Sequence, residues 1–129
     1  THPLWMGTLV VLGAFTDSLY ACAIAASLAC SMAAVALLAF GIARTPGSAL
    51  LGLAPLLFSS AFVDYSTSGR ENPLSHLLLA VFLWLWLVRK SDLRALTALS
   101  ACAALLALNR IDLLVLVGPA LLQAFHGLD

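Results

Sequence analysis

The sequence predicts an all-α fold, a polytopic bundle of about five membrane-spanning helices with one short interfacial or re-entrant helix at its N-terminus. Composition is the first reason: 63% of residues are hydrophobic and 9% charged, where a soluble domain carries roughly 25% charged residues. Six basic and six acidic side chains are too few to hydrate a soluble surface of this size. Lipid as solvent removes that demand, because a helix can then be apolar on every side. The second reason is that apolar runs follow one another across very short polar segments, and the third is that the charges cluster at the ends of those runs. Net charge is zero, so no overall field points to nucleic acid or to an acidic partner.

Leu4 to Phe15 is apolar but only a dozen residues long, too short to span a hydrocarbon core of about 30 Å at ~1.5 Å per residue. It opens on His2-Pro3 and closes on Thr16-Asp17-Ser18, with Trp5 suited to headgroup depth. Leu19 to Ile42 is continuous, rich in Ala and long enough to cross; Arg44-Thr45-Pro46-Gly47 ends it with a cation, a helix breaker and a turn. Ser48 to Val63, Pro73 to Val88, Leu93 to Leu108 and Ile111 to Phe125 follow, each at the short edge of the spanning range of roughly 17–25 residues. Pro55 and Pro119 predict kinks. Cys22, Cys30 and Cys102 lie in apolar runs without CxxC spacing, which favours small buried hydrophobes over a disulfide or metal site. The chain opens on Thr1 with no basic leader and stops at Asp129 just after an apolar run. Residues 1–129 are therefore expected to be an internal piece of one longer transmembrane domain.

Basic residues orient the bundle. Placing Arg44 and the loop Arg89-Lys90-Ser91-Asp92-Leu93-Arg94 in the cytoplasm puts four basic residues inside, against Arg70 and Arg110 outside. The positive-inside rule favours that assignment, in a bacterial inner membrane with Thr1 on the outer side.

The polar residues with chemical promise then share the outer face. In Asp64-Tyr65-Ser66-Thr67-Ser68-Gly69-Arg70-Glu71-Asn72-Pro73, Asn72 is a suitable N-cap and Pro73 a suitable first helical residue. Ser66, Thr67, Ser68 and Gly69 supply hydroxyls and backbone N–H groups ahead of a helix N-terminus, where a phosphate or sugar hydroxyl is readily received; a solvated capping turn is the plainer alternative. His76, one turn into the helix, reads more simply as an interfacial histidine with satisfied bonds than as a ligand. Asn109-Arg110-Ile111-Asp112 is the second cluster. Arg110 at an interfacial bend suits bidentate pairing with phosphate, the alternative being an internal pair with Asp112 or Glu71. Arg89, Lys90 and Arg94, with Trp84 and Trp86 nearby, read as headgroup anchors.

In order, the chain has a short Pro-led helix (His2-Pro3-Leu4-Trp5), a long helix, a basic turn, Asp64-Tyr65 leading into Ser66-Thr67-Ser68-Gly69-x-Glu71, and Asn109-Arg110-x-Asp112. This resembles the membrane core of C-type glycosyltransferases that use polyprenyl-phosphate sugars, most of all the actinobacterial arabinofuranosyltransferases of cell-wall arabinan. Tyr65, Ser66, Thr67, Ser68, Gly69 and Glu71 match that group's outer-loop pattern; Arg70 stands where the pattern has an apolar residue, and Ile111 where it has proline. The resemblance implies transfer of a sugar from a polyprenyl-phosphate donor to a glycan or other envelope acceptor on the periplasmic side. It assigns Ser66, Thr67, Ser68, Gly69, Glu71, Arg110 and Asp112 to donor binding. It implies no catalytic residue in this piece, since the general-base aspartate belongs to a loop expected before Thr1. No cofactor is called for, with a divalent metal left open. A non-catalytic membrane module, such as a transporter half or scaffold subunit, is the competing class.

Overall fold

The computed structural model describes residues 2–16, 18–88 and 93–126. Every regular element among them is helical. The expected basic loop at Arg89, Lys90, Ser91 and Asp92, and the outer placement expected of Thr1, lie outside the described residues.

Helix α1, Pro3–Gly13, carries Pro3 at its start, where a missing N–H costs nothing. Helix α2, Leu19–Ala36, begins behind Ser18, whose hydroxyl accepts the Ala21 N–H at 3.5 Å. The chain runs on as a π-helix over Leu37–Ile42. Gly41 belongs to that stretch because a Cβ there would stand 2.8 Å from Leu37 Cδ1 and 3.2 Å from Trp84 Cδ1. Leu19–Ile42 spans 24 residues, and only 17% of its most apolar window is buried inside the bundle. Among the described residues it is the one single helix long and apolar enough to cross a membrane.

Thr45 and Ser48 start helix α3, Pro46–Leu57, with a reciprocal capping box. The expected single helix from Ser48 to Val63 is instead broken. α3 stops after Leu57, and helix α4, Ser60–Thr67, leaves at 72°. Pro55 has no N–H to bond the carbonyl one turn back, which weakens the end of α3. Ser59 then offers a fresh cap, its hydroxyl accepting the Phe62 N–H at 3.4 Å. By length this pair crosses only if the bent halves count as one span. Helices α5, Asn72–Val88, and α6, Leu93–Asn109, have 17 residues each. A 3-10 turn, Ile111–Leu113, leads into α7, Leu114–His126, which contains Pro119.

The core lies where α5, α6 and α7 meet: Phe82 and Leu85, then Leu99, Cys102, Ala103 and Leu106, then Val117. The Cys102 thiol donates to the Leu78 carbonyl at 3.3 Å, and all three cysteines are free. The buried residues of α2 are all small, Ala23, Ser27, Ser31 and Ala34, which lets α2 lie close along α5.

Two ends emerge from this path. The turn after α4 sits on the first half of α2: the Ser27 hydroxyl donates to the Arg70 carbonyl at 3.4 Å, and Gly69 packs on Ala23. The same turn meets the end of α6, where the Asn109 amide donates to the Glu71 carbonyl at 3.2 Å. Helix α1 begins here, at His2 beside Asn109, and finishes here, with Gly13 against Leu19. It therefore does not traverse the bundle. At the opposite end Arg44, Ser48, Leu87 and Val88 line one cleft.

Candidate functional site

The two polar segments singled out in the sequence, 64–72 and 109–112, meet at one end of the bundle. The Arg110 guanidinium joins them, donating through Nη1 to Asn72 Oδ1 at 2.9 Å.

The serine and threonine hydroxyls do not form the open loop expected of them. Ser66 and Thr67 are the last residues but one and the last residue of α4, and each turns back on its own helix. Ser66 Oγ donates to the Phe62 carbonyl at 2.7 Å, Thr67 Oγ1 to Asp64 at 3.3 Å and Val63 at 3.4 Å, and Ser68 Oγ to Tyr65 at 3.0 Å. Such back-bonding is the usual local competitor of capping. Gly69 ends the helix at φ +68°, a left-handed conformation that favours glycine just past a helix C-terminus.

Asn72 is likewise not a cap. α5 already begins at Asn72, the Glu71 carbonyl accepts the Ser75 N–H at 3.2 Å, and the Asn72 side chain is turned to Arg110. Asn72 is 9% exposed and Pro73 is also buried, so this corner is packed rather than solvated.

Arg110 is paired. Its backbone is extended (φ −151°, ψ 109°) and the 3-10 turn follows directly, so two residues that could not share an α-helical face are brought round to each other. Nε donates to Asp112 Oδ1 at 3.2 Å and Nη2 to Oδ2 at 2.7 Å, a bidentate fork. Hydrogen bonding to Arg110 holds the Asp112 carboxyl below its ordinary range, and the same bond raises the guanidinium further. The Asp112 side chain is 59% exposed, so solvent screens the pair and leaves the carboxylate easy to displace.

Glu71 is half-buried and faces His2, Oε1 to Nε2 at 3.2 Å, while His2 Nδ1 lies 2.7 Å from the Asn109 carbonyl oxygen. Asn109 is 1% exposed and its amide also donates to Ser75 Oγ at 2.8 Å. Its own Oδ1 accepts from no group among the described residues.

Of the residues singled out in the sequence, Glu71, Arg110 and Asp112 therefore lie together at this end, while the Ser66, Thr67 and Ser68 hydroxyls lie nearby and bond back onto α4. Asn109 was named in the second cluster, whereas His2 and Ser75 were not singled out as members. No sequence signal existed for His2, which joins from 107 positions away. His76 sits apart with its ring tilted on Phe62 at 5.2 Å, and its buried Nδ1 has no hydrogen-bond partner among the described residues, in contrast to the satisfied histidine expected. Among the described residues no three His, Cys, Asp or Glu side chains gather as a metal ion would need.

The arrangement combines a guanidinium whose carboxylate partner is exposed, a carboxylate fixed by an imidazole, and amide groups, at the rim of an apolar bundle. Chemically it can orient hydroxyls and receive an anion that displaces Asp112. No protein family, curated protein or solved structure matches this chain.

Proposed function

We propose that the chain is part of a polytopic membrane glycosyltransferase of the C-type, and that its polar end helps hold a polyprenyl-phosphate sugar donor at the periplasmic face. The observation that carries this reading is the convergence of Glu71, Asn72, Arg110 and Asp112, from segments 38 positions apart, at one end of an apolar bundle. A lipid-linked donor needs that combination: an apolar body for its tail and cationic and N–H donors at surface depth for its leaving phosphate.

Lipid as the surrounding solvent is supported by large apolar side chains left uncovered all round the bundle, among them Phe15, Phe40, Leu51, Phe58 and Val115. α5 and α6, at 17 residues, extend about 26 Å at 1.5 Å per residue, which falls only a few ångströms short of the hydrocarbon core. The general base lies outside this chain's assignable residues, so the role proposed here is binding and orientation.

The fork between Arg110 and Asp112 favours a second reading, a non-catalytic module whose charges serve only to close its own end. The two separate on one set of variants. For a donor site, Asp112 competes with the phosphate, so Asp112→Asn tightens donor binding. Arg110→Lys then weakens it through loss of the planar fork, and Arg110→Ala weakens it more. For the closed module, all three leave donor affinity unchanged and lower the melting temperature instead. Donor affinity by titration and Tm in detergent, measured on the same samples, decide between them. Unchanged donor affinity in Arg110→Ala would end the donor-site reading.

A further inference from the structure

His2 has an acceptor at each ring nitrogen. Nδ1 is 2.7 Å from the backbone oxygen of Asn109, and Nε2 is 3.2 Å from Oε1 of Glu71. A carbonyl oxygen only accepts, so Nδ1 must carry hydrogen. A carboxylate also only accepts, so Nε2 must carry hydrogen as well, making His2 an imidazolium. The alternative is that Glu71 is the protonated partner and donates to Nε2. In both cases the pair holds one proton more than a neutral imidazole and a free carboxylate together.

Removing that proton leaves no arrangement that keeps both bonds. With hydrogen on Nδ1, the Nε2 lone pair faces the carboxylate. With hydrogen on Nε2, the Nδ1 lone pair faces the Asn109 carbonyl. One contact turns repulsive either way.

The consequence reaches beyond the pair, because three elements meet on it. His2 is the N-cap position of α1, Glu71 ends the turn before α5, and Asn109 ends α6. Asn109 is itself tied to the Glu71 carbonyl and to Ser75. Two other charges act here. They are Asp112 and Arg110, which are forked to each other.

We propose that His2 is the positioning residue for Glu71, and that it latches α1 to the polar end of the bundle only while the His2–Glu71 pair holds this extra proton. Deprotonation releases the start of α1 and frees the Glu71 carboxylate. The proposal does not rest on the transferase reading, since docking of α1 is measured without any donor.

Trp5, 5% exposed, reports on the latch. The experiment uses the full chain in lipid nanodiscs with Trp84 and Trp86 changed to Phe, and follows quenching of Trp5 by aqueous acrylamide between about pH 5 and about pH 9, the range in which histidine changes charge. In the otherwise unchanged chain, quenching rises severalfold as pH increases. Glu71→Gln gives the sharper result: the Gln side-chain amide donates to Nε2 of a neutral imidazole, both contacts survive, and Trp5 stays protected at every pH. In His2→Ala quenching is high and flat with pH. A pH-independent Trp5 in the unchanged chain, or a Glu71→Gln chain that titrates as the unchanged chain does, overturns the latch. Weakened donor binding in Arg110→Ala tests the other reading and moves neither result.

Discussion

The two ends of the bundle solve the problem of polar groups in an apolar protein in opposite ways. At the end built from His2, Glu71, Asn72, Asn109 and Arg110, nearly every polar group is bonded to a group from another helix or turn. At the other end Arg44 is exposed in a cleft whose remaining lining is almost wholly apolar, and the Thr45–Ser48 capping box satisfies only its own helix. Cross-linked polar groups fix the relative positions of α1, α5 and α6; among the described residues of the other end, the local cap ties down only its own turn. The contrast teaches that, among the described residues, the polar contacts that join different helices are concentrated at one end.

If so, substitutions at the two ends have unequal effects. The largest is expected for Asn109→Ala, which strips the Glu71 carbonyl and Ser75 hydroxyl of a buried donor and costs about 2 kcal/mol of stability. Thermal unfolding in detergent measures it, and a shift no larger than that of a surface variant would erase the distinction between the ends. Gly69→Ala comes next. The left-handed φ of +68° penalises any Cβ by roughly 1 kcal/mol, while the space itself is adequate, at 3.4 Å from Ala23 Cβ. Gly69→Asn should recover part of that loss, since asparagine tolerates this conformation better. The smallest effect belongs to the basic end, where Arg44→Gln should change stability by less than about 0.5 kcal/mol. A larger loss in Arg44→Gln would mean that the second end is also structurally cross-linked.

How far the sequence foretold this depends on whether the signal was local. The helix order, the stop at Arg44–Gly47 and the short α1 all rest on runs of adjacent residues, and the structure has them. The grouping of 64–72 with 109–112 followed from counting passes across the bundle. The break at Phe58–Ser59 was misread as a kink at Pro55, because a proline marks weakness one turn away from where a new serine cap releases the chain. That Ser66, Thr67 and Ser68 turn back on α4 was not legible, because a hydroxyl serves a cap or its own preceding turn equally well, and only the end of α4 decides. The Arg110–Asp112 fork depended on an extended Arg110 backbone, which the i, i+2 spacing alone argues against. The His2–Glu71 contact depended on where α1 lies, and nothing within reach along the chain encodes that.

We propose that the two ends face opposite sides of a membrane, with the cross-linked end outside. Single cysteines at Ser68 and Gly47, in a background with Cys22, Cys30 and Cys102 changed to Ala, test it directly. Ser68 is exposed, and a side chain at Gly47 meets nothing within 4 Å. Treated with a membrane-impermeant thiol reagent on intact, outer-membrane-permeabilised cells, the Ser68→Cys chain is labelled and the Gly47→Cys chain is labelled only after lysis. Labelling of both from outside, or of Gly47→Cys alone, would contradict the account.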